Sequence, residues 1–139
     1  VKASLLVNID VADLAAARDF YVAAFGWTVG RRLGPTVLEI LGAEVPIYLL
    51  AQPAGTPSAP GAAPRSYERH WTPVHLDVVV EDLDTALTRA LGAGAKQESE
   101  ILEQVWGRLV RLADPFGNGL CLLQFLGKGY DELLSEPHV

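Results

Sequence analysis

Val74-His75-Leu76-Asp77-Val78-Val79-Val80-Glu81-Asp82-Leu83 runs from an aliphatic stretch straight into an acidic helix start. Leu5-Leu6-Val7-Asn8-Ile9-Asp10-Val11-Ala12-Asp13-Leu14 does the same near the amino end. Both stretches pass through the pattern V-x-D-L. An internal repeat of this kind decides the fold, because neither copy can bury its own apolar face alone.

Each aliphatic run reads as a strand, about Leu5–Asp10 and Val74–Val79, rich in β-branched and aliphatic side chains. Asp13 and Asp82 are natural helix N-caps, since a short carboxylate accepts from first-turn amides that have no partner within the helix. Leu14, Ala17, Tyr21 and Phe25 recur at helical spacing in one half; Leu83, Ala86, Leu87, Ala90 and Leu91 do so in the other. Gly26 and Gly92 are expected to close these helices. Further strands are expected at Trp27–Leu33, Thr36–Leu41 and Pro46–Ala51, then at Lys96–Leu102, Val105–Ala113 and Leu120–Phe125. Asp114-Pro115-Phe116-Gly117-Asn118-Gly119 supplies the turn before the last strand. Each half reads β-α-β-β-β, so the fold class is α+β.

One domain over residues 1–139 suits the length, with a first module at about 4–51, a connector at 52–70, a second module at about 71–126 and a tail at 127–139. The connector, rich in Pro, Ala, Gly and Ser, reads as a mobile link or a lid. The tail reads as peripheral or as a short helix. Half the residues are apolar and 20% charged, which excludes a disordered chain. A net charge of −6 argues against a basic patch for nucleic acid or an anionic membrane. Cys121 is the sole cysteine, so no intrachain disulfide forms, which fits a reducing compartment. Val1-Lys2-Ala3-Ser4 has no signal-peptide character, and no apolar run nears the roughly 18 residues of a membrane span. A cytoplasmic protein is expected.

The paired V-x-D-L junctions, Asp13 with Phe20-Tyr21 and Phe25-Gly26, and Asp114-Pro115-Phe116-Gly117-Asn118 together resemble the vicinal oxygen chelate superfamily. That group holds glyoxalase I, extradiol dioxygenases, methylmalonyl-CoA epimerase, fosfomycin-resistance transferases and bleomycin-resistance proteins. The resemblance spans about Ser4 to Leu126. It implies two βαβββ modules forming a U-shaped mixed sheet around a cleft, often in a homodimer. It does not fix activity, since members range from metalloenzymes to metal-free drug-binding proteins.

Metalloenzymes of this superfamily carry a His or Gln on the first strand of a module and usually a Glu on its last. At those positions this chain has Leu6 and Tyr48 (Leu49 with a one-residue slip) in the first half, and His75 and Cys121 in the second. Only His75 matches. The harder ions want several N or O donors including carboxylates, so no resident metal or other cofactor is expected. His75 also reads as a hydrogen-bonded cleft histidine, and Cys121 as a small buried hydrophobe.

Strand alternation places Leu76, Val78 and Val80 toward the helix and His75, Asp77 and Val79 on the opposite face; Val7, Ile9 and Val11 oppose Leu6, Asn8 and Asp10 in the same way. The expected ligand-binding residues are His75, Asp77, Cys121, Tyr48, Asn8, Trp106 and Arg108, with Trp106 stacking on a flat ligand and Arg108 meeting an anionic group. A basic ligand would find Asp10, Asp77 and Glu39; an acidic one Arg31, Arg32, Arg108 and Arg111. Trp71 covers the cleft mouth or packs at a subunit contact. No catalytic residue is assigned. The leading expectation is a small organic molecule bound in the cleft without a catalytic metal. The alternative is a metal-dependent glyoxalase-like lyase, isomerase or dioxygenase with an atypical site. A His75–Asp77 acid–base pair is geometrically poor for two residues on one strand.

Overall fold

The computed structural model describes residues 2–134. The first half runs β1 (Val7–Val11), α1 (Leu14–Phe25), β2 (Thr28–Leu33), β3 (Val37–Leu41) and β4 (Ile47–Ala51). The second runs β5 (Leu76–Val79), α2 (Leu83–Ala93), β6 (Lys96–Gln97), β7 (Leu102–Gln104), β8 (Gly107–Ala113) and β9 (Gly119–Phe125), followed by a 3-10 turn at Gly129–Leu133. The final residues of the expected tail, 135–139, lie outside the described residues.

The strands form two mixed sheets ordered β1-β4-β3-β2 and β5-β9-β8-β6, with β7 also on β8. In each sheet the first strand lies parallel to the last, β1 on β4 and β5 on β9, and the other pairings are antiparallel. The expected α+β architecture of two like modules is the observed one.

Both helices start where a carboxylate caps them: Asp13 accepts from Ala16 N–H at 3.1 Å and Asp82 from Asp84 N–H at 3.1 Å. α1 buries Ala17, Phe20, Tyr21 and Ala24, and α2 buries Leu83, Leu87 and Ala90, in one core with Val11, Ile40, Leu49, Val110, Leu112 and Leu122. Each large aliphatic side chain withdrawn this way contributes roughly 1.5–3 kcal/mol. Arg89 of α2 donates to the Ala23 carbonyl of α1 at 2.7 Å, fastening the helices side by side. No described helix is long and apolar enough to cross a membrane.

Two local expectations are corrected. α2 continues through Gly92 and ends at Gly94, whose φ of 118° suits a residue without Cβ. The strand expected over Lys96–Leu102 breaks into β6 and β7. Between them Glu98 N–H still reaches Arg111 O at 2.9 Å, but Arg111 N–H turns to the Ser99 hydroxyl at 2.9 Å. A side chain there replaces the strand's backbone, and the ladder stops.

Candidate ligand-binding site

A cavity of about 490 Å³ opens between the edge strands β1 and β5, walled by Val7–Asp10, Val74–Leu76 and the start of β9 at Asn118–Leu120. The connector adds Arg65–Tyr67 and His70, the start of the second module adds Thr72, and Tyr21 contributes from α1. Val7, Ile9, Leu76 and Leu120 give it an apolar floor; Asn8, His75, Thr72 and Asn118 give it polar groups.

The connector is fastened at several points. Gly55 and Thr56 exchange backbone hydrogen bonds with Arg65 at 2.8 Å. Arg65 Nε donates to Asp10 Oδ2 at 2.7 Å while its Nη1 donates to Thr56 Oγ1 at 3.0 Å and Pro57 O at 2.8 Å. Tyr67 Oη donates to Gln52 O at 2.6 Å, and burial raises that phenol above its ordinary value. Farther along, His70 N–H donates to Gly117 O at 2.9 Å. Arg69 binds Glu98 and lies over the Trp71 ring at 4.9 Å; the contact raises the guanidinium and lowers the carboxyl. Gly117 and Gly119 seat this strap. A Cβ on Gly117 would stand 2.6 Å from Tyr67 O, and one on Gly119 would overlap the Trp71 ring.

The turn beneath the strap is built on Asp114, which is 4% exposed. It accepts from Tyr21 Oη at 2.6 Å, from the N–H groups of Phe116 and Asn118 at 2.8 and 2.9 Å, and from Asn118 Nδ2 at 2.9 Å. Burial, with the Asp114 charge beside it, pushes the Tyr21 phenol well above its usual range. One carboxylate thus ties α1 of the first half to the β8–β9 turn of the second.

The expected site residues separate into groups. Asn8 and His75 line the cavity. Asp77 and Cys121 are register partners on β5 and β9, and with His75 they bring one donor atom each within 4.8 Å of one another. His75 Nε2 lies 3.3 Å from Asp77 Oδ1, so the contact judged poor along a single strand is made. Burial first, then the Asp77 charge, pushes the Cys121 thiol from 9.0 up to about 11, which leaves a protonated, unreactive sulfur at neutral pH.

Tyr48 sits beside Asn8 in register, away from the cavity wall. Its hydroxyl donates to Glu39 Oε2 at 3.1 Å, and Arg31 grips the same carboxylate through Nη2 at 2.7 Å and Nε at 3.0 Å. Arg31 holds the Glu39 carboxyl down from 4.5 to about 2.

Trp106 and Arg108 do not line this cavity. Parity along β8 puts Arg108 with Val110 and Leu112, both buried in the core. Arg108 pairs with Asp84 at 3.0 Å and Glu103 at 3.1 Å, raising its own guanidinium and lowering the Asp84 carboxyl. Trp106 packs against Phe125 and Tyr130, with ring centroids 5.9 and 5.2 Å away. The wall residues the sequence did not offer are Arg65, Tyr67 and Thr72.

The metal set that the resemblance describes does not fit these residues. Leu6 has no donor atom, Tyr48 is committed to Glu39, and a thiol replaces the carboxylate of the last strand.

Residues 6–123 match the glyoxalase-like domain family. An uncharacterized protein of Mycobacterium bovis is 34% identical over 131 residues, covering 85% of this chain and 80% of its own length. Among solved structures, the fosfomycin resistance protein FosX of Listeria monocytogenes superposes with a TM-score of 0.69 at 16% identity, covering 91% of this chain and 95% of its own. TnmS3, an antibiotic binding protein from Streptomyces, superposes with a TM-score of 0.63 at 22% identity, over 91% and 98% of the two chains. The duplicated module, its paired junctions and these matches agree: the chain belongs to the glyoxalase-like domain family, on the fold shared by glyoxalases, bleomycin-resistance proteins and dioxygenases.

Proposed function

We propose that this protein binds a small organic molecule in the seam cavity between its two halves, without a catalytic metal. The observation that carries the reading is the wall itself. It has an apolar floor, a few polar groups, and one Arg already matched by one Asp, in a volume suited to a drug-sized guest. Because Arg65 and Asp10 neutralise each other, the guest is uncharged or weakly charged over most of its surface. His75 and Asn8 contact it, Asp77 and Cys121 support His75 from behind, and Tyr48 flanks Asn8. Trp106 and Arg108 are left out. The likeness in fold to an antibiotic binding protein supports a binding role for the cleft. The reading takes residues 1–139 as one domain of a cytoplasmic homodimer, an assembly that sedimentation measures.

The test is a titration of dialysed protein with a panel of planar aromatic antibiotics. The bound compound is then recovered and weighed by mass spectrometry, and the protein is assayed for metals. Saturable, one-to-one binding of an unaltered compound to metal-free protein is expected. A stoichiometric divalent ion that is released by His75→Ala, together with turnover, would establish the alternative, a metal-dependent lyase or dioxygenase. His75, Asp77 and Cys121 are the one cluster of donors among the described residues that favours it.

A further inference from the structure

We propose that the cavity reads its guest through the half-closed ion pair of Arg65 and Asp10, and that the guest it selects carries an N–H beside a carbonyl, as an aromatic carboxamide or lactam does. This rests on the binding reading above and names the class of molecule bound.

A guanidinium that meets a carboxylate often offers two parallel N–H groups to its two oxygens. The Arg31–Glu39 pair of the first sheet is closed in this way, with Nε 3.0 Å from Oε1 and Nη2 2.7 Å from Oε2. The Arg65–Asp10 pair is closed at one point. Nε donates to Oδ2 at 2.7 Å, while Nη2 and Oδ1 make no hydrogen bond among the described residues. The cause lies in the connector, whose oxygens hold the guanidinium by its other nitrogen. Nη1 donates to Pro57 O at 2.8 Å and to Thr56 Oγ1 at 3.0 Å.

Both unused atoms are accessible. Arg65 and Asp10 are half-buried, with side chains 15% and 33% exposed. Among the described residues that are not themselves exposed, every buried side-chain nitrogen and oxygen has a partner. Nη2 and Oδ1 have none, so both reach open space, and the cavity is the space that the two residues line together. One charged donor and one charged acceptor therefore stand side by side. A carboxamide or lactam fills both prongs from one edge, its C=O accepting from Nη2 and the N–H cis to it donating to Oδ1. The guanidinium keeps its charge throughout the folding range, so the donor side of the pair is fixed. A ligand carboxylate would face Asp10 as a like charge, and a ligand ammonium would face Arg65 as one.

The other polar groups of the wall are spoken for. The Tyr21 and Tyr67 hydroxyls donate to Asp114 and to Gln52 O, the Thr72 hydroxyl to Val74 O, and the Asn118 amide to Asp114. His70 Nδ1 lies 2.8 Å from Glu68 O. Asn8 is exposed, and no hydrogen bond among the described residues fixes the direction of its amide. The apolar floor of the cavity receives the ring that carries the ligand's amide.

The probes are 2-naphthamide, N,N-dimethyl-2-naphthamide, methyl 2-naphthoate and 2-naphthoate, titrated by fluorescence and calorimetry. The first offers a donor and an acceptor, the next two an acceptor only, and the last a charge. Naphthamide is expected to bind about tenfold tighter than either acceptor-only probe, the size of one hydrogen bond to a charged group. The naphthoate should bind weakest of the four. Asp10→Asn should bring naphthamide and the ester within about twofold of each other. A side-chain amide whose oxygen takes the Arg65 Nε–H turns an N–H, not an acceptor, toward the ligand. Arg65→Lys should weaken amide and ester alike, about fivefold, because an ammonium drawn to Asp10 presents no second prong. Urea unfolding establishes that each variant is folded, and where Asp10→Asn is not, the wild-type ranking decides. Equal affinities for naphthamide and its dimethyl form, tightest binding by the naphthoate, or an amide advantage that survives in folded Asp10→Asn would each overturn this proposal while leaving the binding reading intact. Failure of these probes and of the antibiotic panel to saturate the wild type would overturn both.

Discussion

Tyr48 stands opposite Asn8 in the first sheet as Cys121 stands opposite Asp77 in the second, so the two halves offer equivalent positions on equivalent strands. They use them differently. In the first half Arg31, Glu39 and Tyr48 close on one another, and the Glu39 carboxylate is fully engaged. In the second half Asp77 lies between His75, 3.3 Å away, and Cys121, and His75 lines the cavity. The turns differ as well. The β8–β9 turn is knotted on the buried Asp114, whereas the corresponding β3–β4 turn of the first half carries its acid, Glu44, in solvent. Duplication supplied two frames; the second holds both the structural knot and the cavity histidine.

The largest effect should come from cutting the knot. Asp114→Ala leaves Tyr21 Oη, two backbone N–H groups and the Asn118 amide without their acceptor in a buried place. A loss of about 3–5 kcal/mol of unfolding free energy is expected by urea denaturation. Glu44→Ala, its counterpart in the first half, should stay within about 0.5 kcal/mol. Equal costs in the two turns would remove the asymmetry.

Next comes the seat of the strap. Gly119→Ala pushes a methyl group into the Trp71 ring, and the strap rather than β9 should yield. We expect a cost of about 1–3 kcal/mol, faster hydrogen exchange at the His70 amide, and weaker ligand binding. Unchanged exchange at His70 would mean that the strap is held without Trp71.

These features were unequally legible in the sequence, for physical reasons. Helix starts at Asp13 and Asp82 follow from local chemistry, a carboxylate beside first-turn amides, and the structure has both. Alternation likewise sorted Leu76 and Val78 from His75 and Asp77 correctly. Arg108 marks the limit of that argument: alternation groups Arg108 with Val110 and Leu112, but says nothing of which way the group faces. The facing is decided by α2, whose Asp84 receives the guanidinium. The break between β6 and β7 was illegible because it depends on the Ser99 hydroxyl meeting Arg111 across the sheet. Arg65 on the cavity wall was hidden for the same reason, since its partner Asp10 is remote in sequence and pairs carry no periodicity.

Acid should sharpen the contrast between the two open faces. Glu39 has its carboxyl lowered from 4.5 to about 2, first by the hydrogen bonds from the Arg31 side chain and then by that from its backbone. A group held below its unfolded value contributes stability in full above about pH 4.5, and that contribution fades as the pH falls toward 2. Thermal midpoints measured across this window should drop more steeply for the wild type than for Glu39→Gln, whose profile should be flatter and lower at neutral pH. Parallel profiles would show that the Arg31–Glu39 contact contributes nothing to folding.

The smallest effect concerns Cys121, where the second half resembles the first in one respect: the residue on the last strand is not free to react. Burial and the neighbouring Asp77 charge keep the thiol near 11, so the thiolate fraction at pH 7 is minute. Alkylation by iodoacetamide should therefore be far slower than that of a small free thiol, and should accelerate when urea unfolds the chain. Cys121→Ser keeps the size and a hydrogen bond to Asp77, so affinity for an aromatic antibiotic that saturates the cavity should change less than about twofold. Rapid alkylation of the folded protein would place the sulfur in the working part of the site. It would also remove the distinction drawn here between a supporting Cys121 and a ligand-contacting His75.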